Sequence, residues 1–177
     1  KLAGHDAPLA ELSSGGWAHN LADAKGHWVY DMVRRELGDE RFFSALGGVL
    51  DAHGGGTLSL LELRLAFVGA APDSAGMEDF LAQWLDRPGA PVLDVRWEDA
   101  SADGRYAAAL TIRQRTPEPY RLRIPIGIRS AAGMRVHVVE LLESTTRITL
   151  EADGPPTEVI ENVGHPLLIW EAAYCPD

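Results

Sequence analysis

The chain has 177 residues, with Lys+Arg 16 against Asp+Glu 26 and a formal net charge of −10. That balance argues against a non-specific binder of nucleic-acid backbones, because a polyanion would meet too few cations to neutralise it. A composition with 46% apolar and 24% charged residues is that of a folded protein rather than a disordered one.

Helical periodicity runs from residue 20 to 86. Trp28, Met32, Val33 and Leu37 fall on one stripe, and the spacing predicts a helix with that face buried. Gly38 ends it, and the Asp39 carboxylate is placed to cap the helix that follows. Phe42, Phe43, Leu46, Val49 and Leu50 make a second stripe, stopped by three glycines at 54 to 56. Ser59 and Glu62 form a capping-box pattern, opening a helix with Leu60, Leu63 and Phe67 inward. A fourth helix holds Met77, Phe80, Leu81, Trp84 and Leu85, ending where Pro88 and Pro91 forbid continuation.

Beyond Pro91 the period becomes two. Leu93, Val95 and Trp97 alternate with charged residues, and Tyr106, Ala108, Leu110 and Ile112 repeat the pattern. Tyr120, Leu122, Ile124, Ile126 and Ile128 oppose Arg121, Arg123 and Arg129. Met134, Val136 and Val138 follow as the next apolar face, then Thr146, Ile148 and Leu150, with a last strand at Leu167 to Trp170. Asp103-Gly104, Ala132-Gly133 and Asp153-Gly154 are turn signals at sandwich-like intervals. The expected class is α+β. Residues 1–19 read as an extension or linker, 20–90 as a helical segment and 91–177 as an antiparallel β-sandwich.

Few residues carry chemistry. The six histidines include no H-E-x-x-H pair for zinc. His27 and Asp31 stand four apart on one helix surface and read as a surface pair. Residues 51–62 imitate a calcium loop, with Asp51 first, Gly56 sixth and Glu62 twelfth, but His53 and Gly55 occupy places that need oxygen ligands. The same residues also read as a helix end, a glycine turn and a capping box. Arg121, Arg123 and Arg129 read as the solvated side of a half-buried strand. Cys175 has no partner for a disulfide and no neighbours that would activate a thiolate. No apolar run approaches the ~20 residues of a membrane span. The chain opens at Lys1 without a signal-peptide pattern and is expected to be a processed or excised piece.

Two strings carry a resemblance. One runs from Lys25-Gly26 through Arg34, Leu37, Gly38, Asp39 and Glu40 to Phe42 and Phe43. The other joins Phe80, Trp84, Pro88, Gly89 and Pro91. In that order, with a β domain behind them, they resemble the zinc aminopeptidase family typified by aminopeptidase N, over residues 20 to 150. The resemblance implies the second, helical half of a thermolysin-like catalytic domain followed by its β-sandwich. The family's H-E-x-x-H zinc segment and G-x-M-E-N loop would lie upstream. No cofactor is therefore expected in this segment, with zinc in the parent if active.

The implied partners are the upstream half of that catalytic domain and, in the parent, a peptide substrate. The helices would expose an apolar face in isolation, so self-association into a homodimer is expected. The family places an oxyanion-stabilising Tyr where this chain has Asp23, in Asp23-Ala24-Lys25-Gly26. An ionised carboxylate cannot donate that hydrogen bond and repels the developing charge. Asp23 also reads as a helix N-cap, and Tyr30, about two turns on, is poorly placed to replace the Tyr. Two functions follow: a cleft-supporting, non-catalytic portion of a zinc aminopeptidase, inactive alone, or a degenerate peptidase-like scaffold that binds a peptide or protein.

Overall fold

No proline interrupts the chain over the first long helix, α1, Gly16–Leu37, which begins four residues earlier than its periodicity predicts. The computed structural model describes residues 7–12 and 15–170, leaving aside the side chain of Trp17. The described chain falls into two compact units, Lys1–Gly89 and Ala90–Asp177.

In the first unit a short 3-10 turn, Leu9–Glu11, precedes α1, α2 (Asp39–His53), α3 (Leu60–Ala70) and α4 (Ser74–Leu85). The α1 face that turns inward is Leu21, Val29, Met32, Val33 and Leu37. It meets Phe42 and Val49 of α2, Leu63 and Phe67 of α3, and Met77, Leu81, Trp84 and Leu85 of α4 as the buried set.

Three details differ from the sequence expectation. Gly38, at φ 76°, occupies the N-cap of α2 without a side-chain cap. Asp39 sits in the first turn and gives its carboxylate to Arg34, at 2.8 and 2.9 Å, because the guanidinium lies within reach across the helix junction. Phe43 and Leu50 are 55% and 68% exposed, since only one side of α2 faces its neighbours. Leu60 is likewise exposed, whereas Leu63 and Phe67 are buried. The capping box of α3 is present in both directions: Ser59 Oγ accepts from Glu62 N–H, and Glu62 Oε2 accepts from Ser59 N–H at 2.8 Å.

The second unit holds two three-stranded antiparallel sheets. Strands β1 (Leu93–Asp99), β2 (Tyr106–Gln114) and β5 (Thr145–Ala152) form one in the order β1-β2-β5. Strands β3 (Leu122–Ser130), β4 (Gly133–Leu141) and β6 (Glu158–Glu161) form the other in the order β4-β3-β6. With the helices first and the strands after them, the class is α+β. Asp103 and Gly104, both at positive φ, close the β1–β2 hairpin, the backbone that a tight two-residue hairpin loop demands.

The core of this unit is Ala108, Leu110, Ile112 and Leu150 from the first sheet, with Leu122, Ile124, Ile126, Ile128, Val139 and Leu141 from the second. The inward face of β4 is thus the odd-numbered one. Met134, Val136 and Val138, expected inside, are exposed, because the register opposes Ile124 to Val139 and Leu122 to Leu141, and a period of two sends the even residues outward. The last strand also moves. Glu158–Glu161 pairs with β3, while residues 167–170 form no strand beyond a bridge from Trp170 to Val92. Asn162 holds that stretch instead: Nδ2 donates to Leu167 O at 2.8 Å and Oδ1 accepts from Leu167 N–H at 3.2 Å.

Candidate functional site

Asp23, the site residue expected from the sequence resemblance, lies in the second turn of α1. It is therefore not an N-cap, since the helix has already begun at Gly16. Its side chain is exposed, and its backbone carbonyl accepts from His27 Nδ1 at 2.9 Å as well as from the helix. His27 thus turns toward Asp23, and its ring tilts against Trp28 with centroids 5.6 Å apart. Asp31 pairs with Arg35 at 2.7 Å, not with His27, as the longer guanidinium reaches it from the next turn.

Two residues on, Lys25 behaves differently. It is only 3% exposed, and Nζ donates to Arg87 O at 2.9 Å. A buried ammonium is costly unless hydrogen-bonded, and this contact helps a lysine to be tolerated on the inner face. Leu21 and Val29, one turn to either side, already put position 25 on the apolar stripe. That signal was present in the sequence. The bond fixes α1 to the turn that follows α4.

Beside this stretch the helices enclose an apolar pocket of about 180 Å³. Ala22, Gly26, Tyr30 and Val33 of α1 line it, with Leu63 and Phe67 of α3, Leu81 and Leu85 of α4, and Leu9 and Leu12 from the N-terminal turn. A Cβ added at Gly26 meets no atom within 4 Å. Tyr30 is edge-on to both Phe42 and Phe67, whose rings stack at 5.5 Å, and partial burial pushes its phenol above the ordinary value. Asp23 is not among the lining residues. At the rim, Arg64 is held by Asp86 at 2.9 Å.

The remaining sequence candidates resolve into local structure. Glu62 lies 3.8 Å from His53, and its carboxyl is held below the usual range by the hydrogen bonds from Ser59. Arg123 and Arg129 find Glu140 and Glu158 at 3.8 and 2.7 Å. Cys175 lies outside the described residues. Among the described residues no three His, Cys, Asp or Glu side chains form a metal-ligand group. No helix among them is long and apolar enough to cross a membrane.

No protein-family model matches the sequence, and no curated protein matches it. The structure is similar to that of Legionella pneumophila aminopeptidase A in complex with aspartic acid, with a TM-score of 0.55 at 17% sequence identity. What the two share is a fold. The likeness covers 83% of this chain but only 17% of the other, so this chain spans a small part of that protein's length.

Proposed function

We propose that the chain is the C-terminal, non-catalytic portion of an aminopeptidase N-like zinc metallopeptidase, bracing the substrate cleft and inactive alone. The observation that carries this reading is the fold likeness to part of an aminopeptidase, with the Lys25-Gly26 and Trp84-to-Pro91 strings in the family's order. In this reading zinc and its ligands belong to the upstream half. What this chain supplies is support: Lys25 locks α1 onto the turn carrying Arg87.

A second reading, a scaffold that binds peptides without cleaving them, is favoured by Asp23. An exposed carboxylate replaces the oxyanion-stabilising phenol, while the neighbouring pocket is lined by apolar side chains suited to a peptide side chain.

The test compares this chain with the longer gene product in aminoacyl-4-nitroanilide hydrolysis, before and after chelation. Cleavage by the longer product alone, lost on chelation, supports the first reading. In that case Asp23→Tyr in the longer product raises kcat more than it changes KM. A longer product that binds peptides without turnover supports the second.

A further inference from the structure

We infer that the outer face of the β1-β2-β5 sheet is a binding site for a phosphate group. Of the arginines singled out by sequence pattern, Arg121, Arg123 and Arg129, Arg129 is held by Glu158 at 2.7 Å, and Arg123, on the other sheet, has a 3.8 Å contact with Glu140. A different set is uncommitted. Among the described residues, neither the Arg113 nor the Arg147 guanidinium makes a hydrogen bond or ion pair. Arg96, whose side chain is 81% exposed, has only a long contact of 3.6 Å with Asp94.

Register brings these three together. Thr111 is paired with Arg96 on one side and Arg147 on the other. The two flanking Cα atoms are therefore about 10 Å apart, two strand spacings. Arg113 lies on the same face, two residues along β2 from Thr111. All three project away from the core, because Ala108, Leu110, Ile112 and Leu150 fill the opposite face. The floor between them is small and hydroxylated, from Ala109, Thr111 and Thr149, and the groove above it is open.

Chemistry chooses the ligand. Two guanidinium forks from opposite sides and the Thr111 hydroxyl supply more donors than the two oxygens of a carboxylate accept in good geometry. The three acceptor oxygens and near-double charge of a phosphate fit them. The carboxylates on this face are Asp94, Glu98 and Glu151. Glu151 is paired with Arg135 at 2.9 Å, and the ligand displaces Asp94 from Arg96. With the whole chain at −10, an extended polyanion is repelled while a compact anion is admitted.

The experiment follows backbone amide and arginine Nε resonances of the 15N-labelled chain. The probes are inorganic phosphate, phosphoserine, a phosphoserine peptide and the same peptide with glutamate in its place. Saturable shifts at Thr111, Thr149 and Arg147 are expected, weakening with salt. Arg147→Gln and Arg96→Gln each weaken binding about three- to tenfold, Asp94→Asn tightens it, and Arg123→Gln leaves it unchanged. Tighter binding of the phosphopeptide than of inorganic phosphate identifies a modified protein as the source, and the reverse a small phosphomonoester. The inference is overturned if shifts fail to saturate, if Arg147→Gln leaves them intact, or if the glutamate peptide binds equally well.

Discussion

The side-chain amide of Gln114 satisfies both backbone polar groups of Tyr120. Nε2 donates to the Tyr120 carbonyl at 2.8 Å, and Oε1 accepts from its N–H at 2.8 Å. A further bond from Nε2 to Glu143 O, at 3.2 Å, ties in the approach to β5. Gln114 and Tyr120 are both buried, and the intervening Pro117 and Pro119 lack N–H donors with which to build a ladder. Gln114→Leu keeps the approximate volume but strands these groups. It should cost about 2–3 kcal/mol, read as a lower urea midpoint at unchanged slope.

The sequence is most legible where one physical rule acts alone. The glycine and proline stops bound the four helices, and the Ser59–Glu62 capping box follows from spacing. It is least legible where two rules compete. In β4 both residue sets contain apolar members, so alternation cannot choose between Val136 and Val138 on one face and Val139 and Leu141 on the other. Pairing with β3 decides it. Four-residue β6 carries too short a pattern to stand out, whereas Leu167 to Trp170 is apolar but held by Asn162 outside the sheets. At the candidate site, Asp23 is found only through resemblance. The arginine face over Thr111 stays hidden because it is built from three strands and exists only in register.

Lys25 gives the next test. Lys25→Met retains much of the aliphatic stem but leaves the Arg87 carbonyl without its ammonium donor. A loss of about 1–3 kcal/mol is expected for removing a part-buried, charge-assisted hydrogen bond. Hydrogen exchange should quicken first at the C-terminal turn of α4, which the bond anchors. Equal exchange there in the two proteins would show that the contact carries no stability.

Gly26 behaves oppositely. It lies inside α1 without positive φ, and a methyl there meets nothing within 4 Å. Gly26→Ala should therefore stabilise the chain by about 0.5–1 kcal/mol, through helix propensity and reduced freedom of the unfolded backbone. The methyl also enters the pocket lined by Tyr30 and Val33. Thermal unfolding measures the gain. A peptide that uses the pocket should bind the variant more weakly even as its midpoint rises.

Three carboxylates set the acid response. Asp39 is held below the ordinary carboxylate value first by its hydrogen bond from Arg34, Glu62 by those from Ser59, and Asp99 by those from Ser101. A depressed native pKa stabilises the fold above the unfolded value, and that contribution is lost as pH falls through the native one. Stability should thus be flat near neutrality and decline as the carboxylates protonate. Glu62→Gln should lower stability at pH 7 and flatten the acid decline, with the two proteins converging at low pH. Parallel curves would remove Glu62 as a contributor.

The exposed leucines of the helical unit give a test of self-association. Leu61 and Leu65 are one turn apart on α3, 63% and 60% exposed, and Leu50 of α2 is 68% exposed. Buried in a partner, each such side chain is worth about 1.5–3 kcal/mol, before the cost of association is subtracted. In a symmetric contact both copies contribute these side chains, so the gross gain is of the same order as the association cost, and weak self-association of the chain in isolation is the expected outcome. Sedimentation velocity over a concentration series should show a rising weight-average coefficient. Leu61→Glu with Leu65→Glu should return it to the monomer value without lowering the thermal midpoint, since neither side chain is part of the core. An unvarying monomer in the parent chain would mean that this face is too small, or too well spaced by Glu62 and Arg64, to associate.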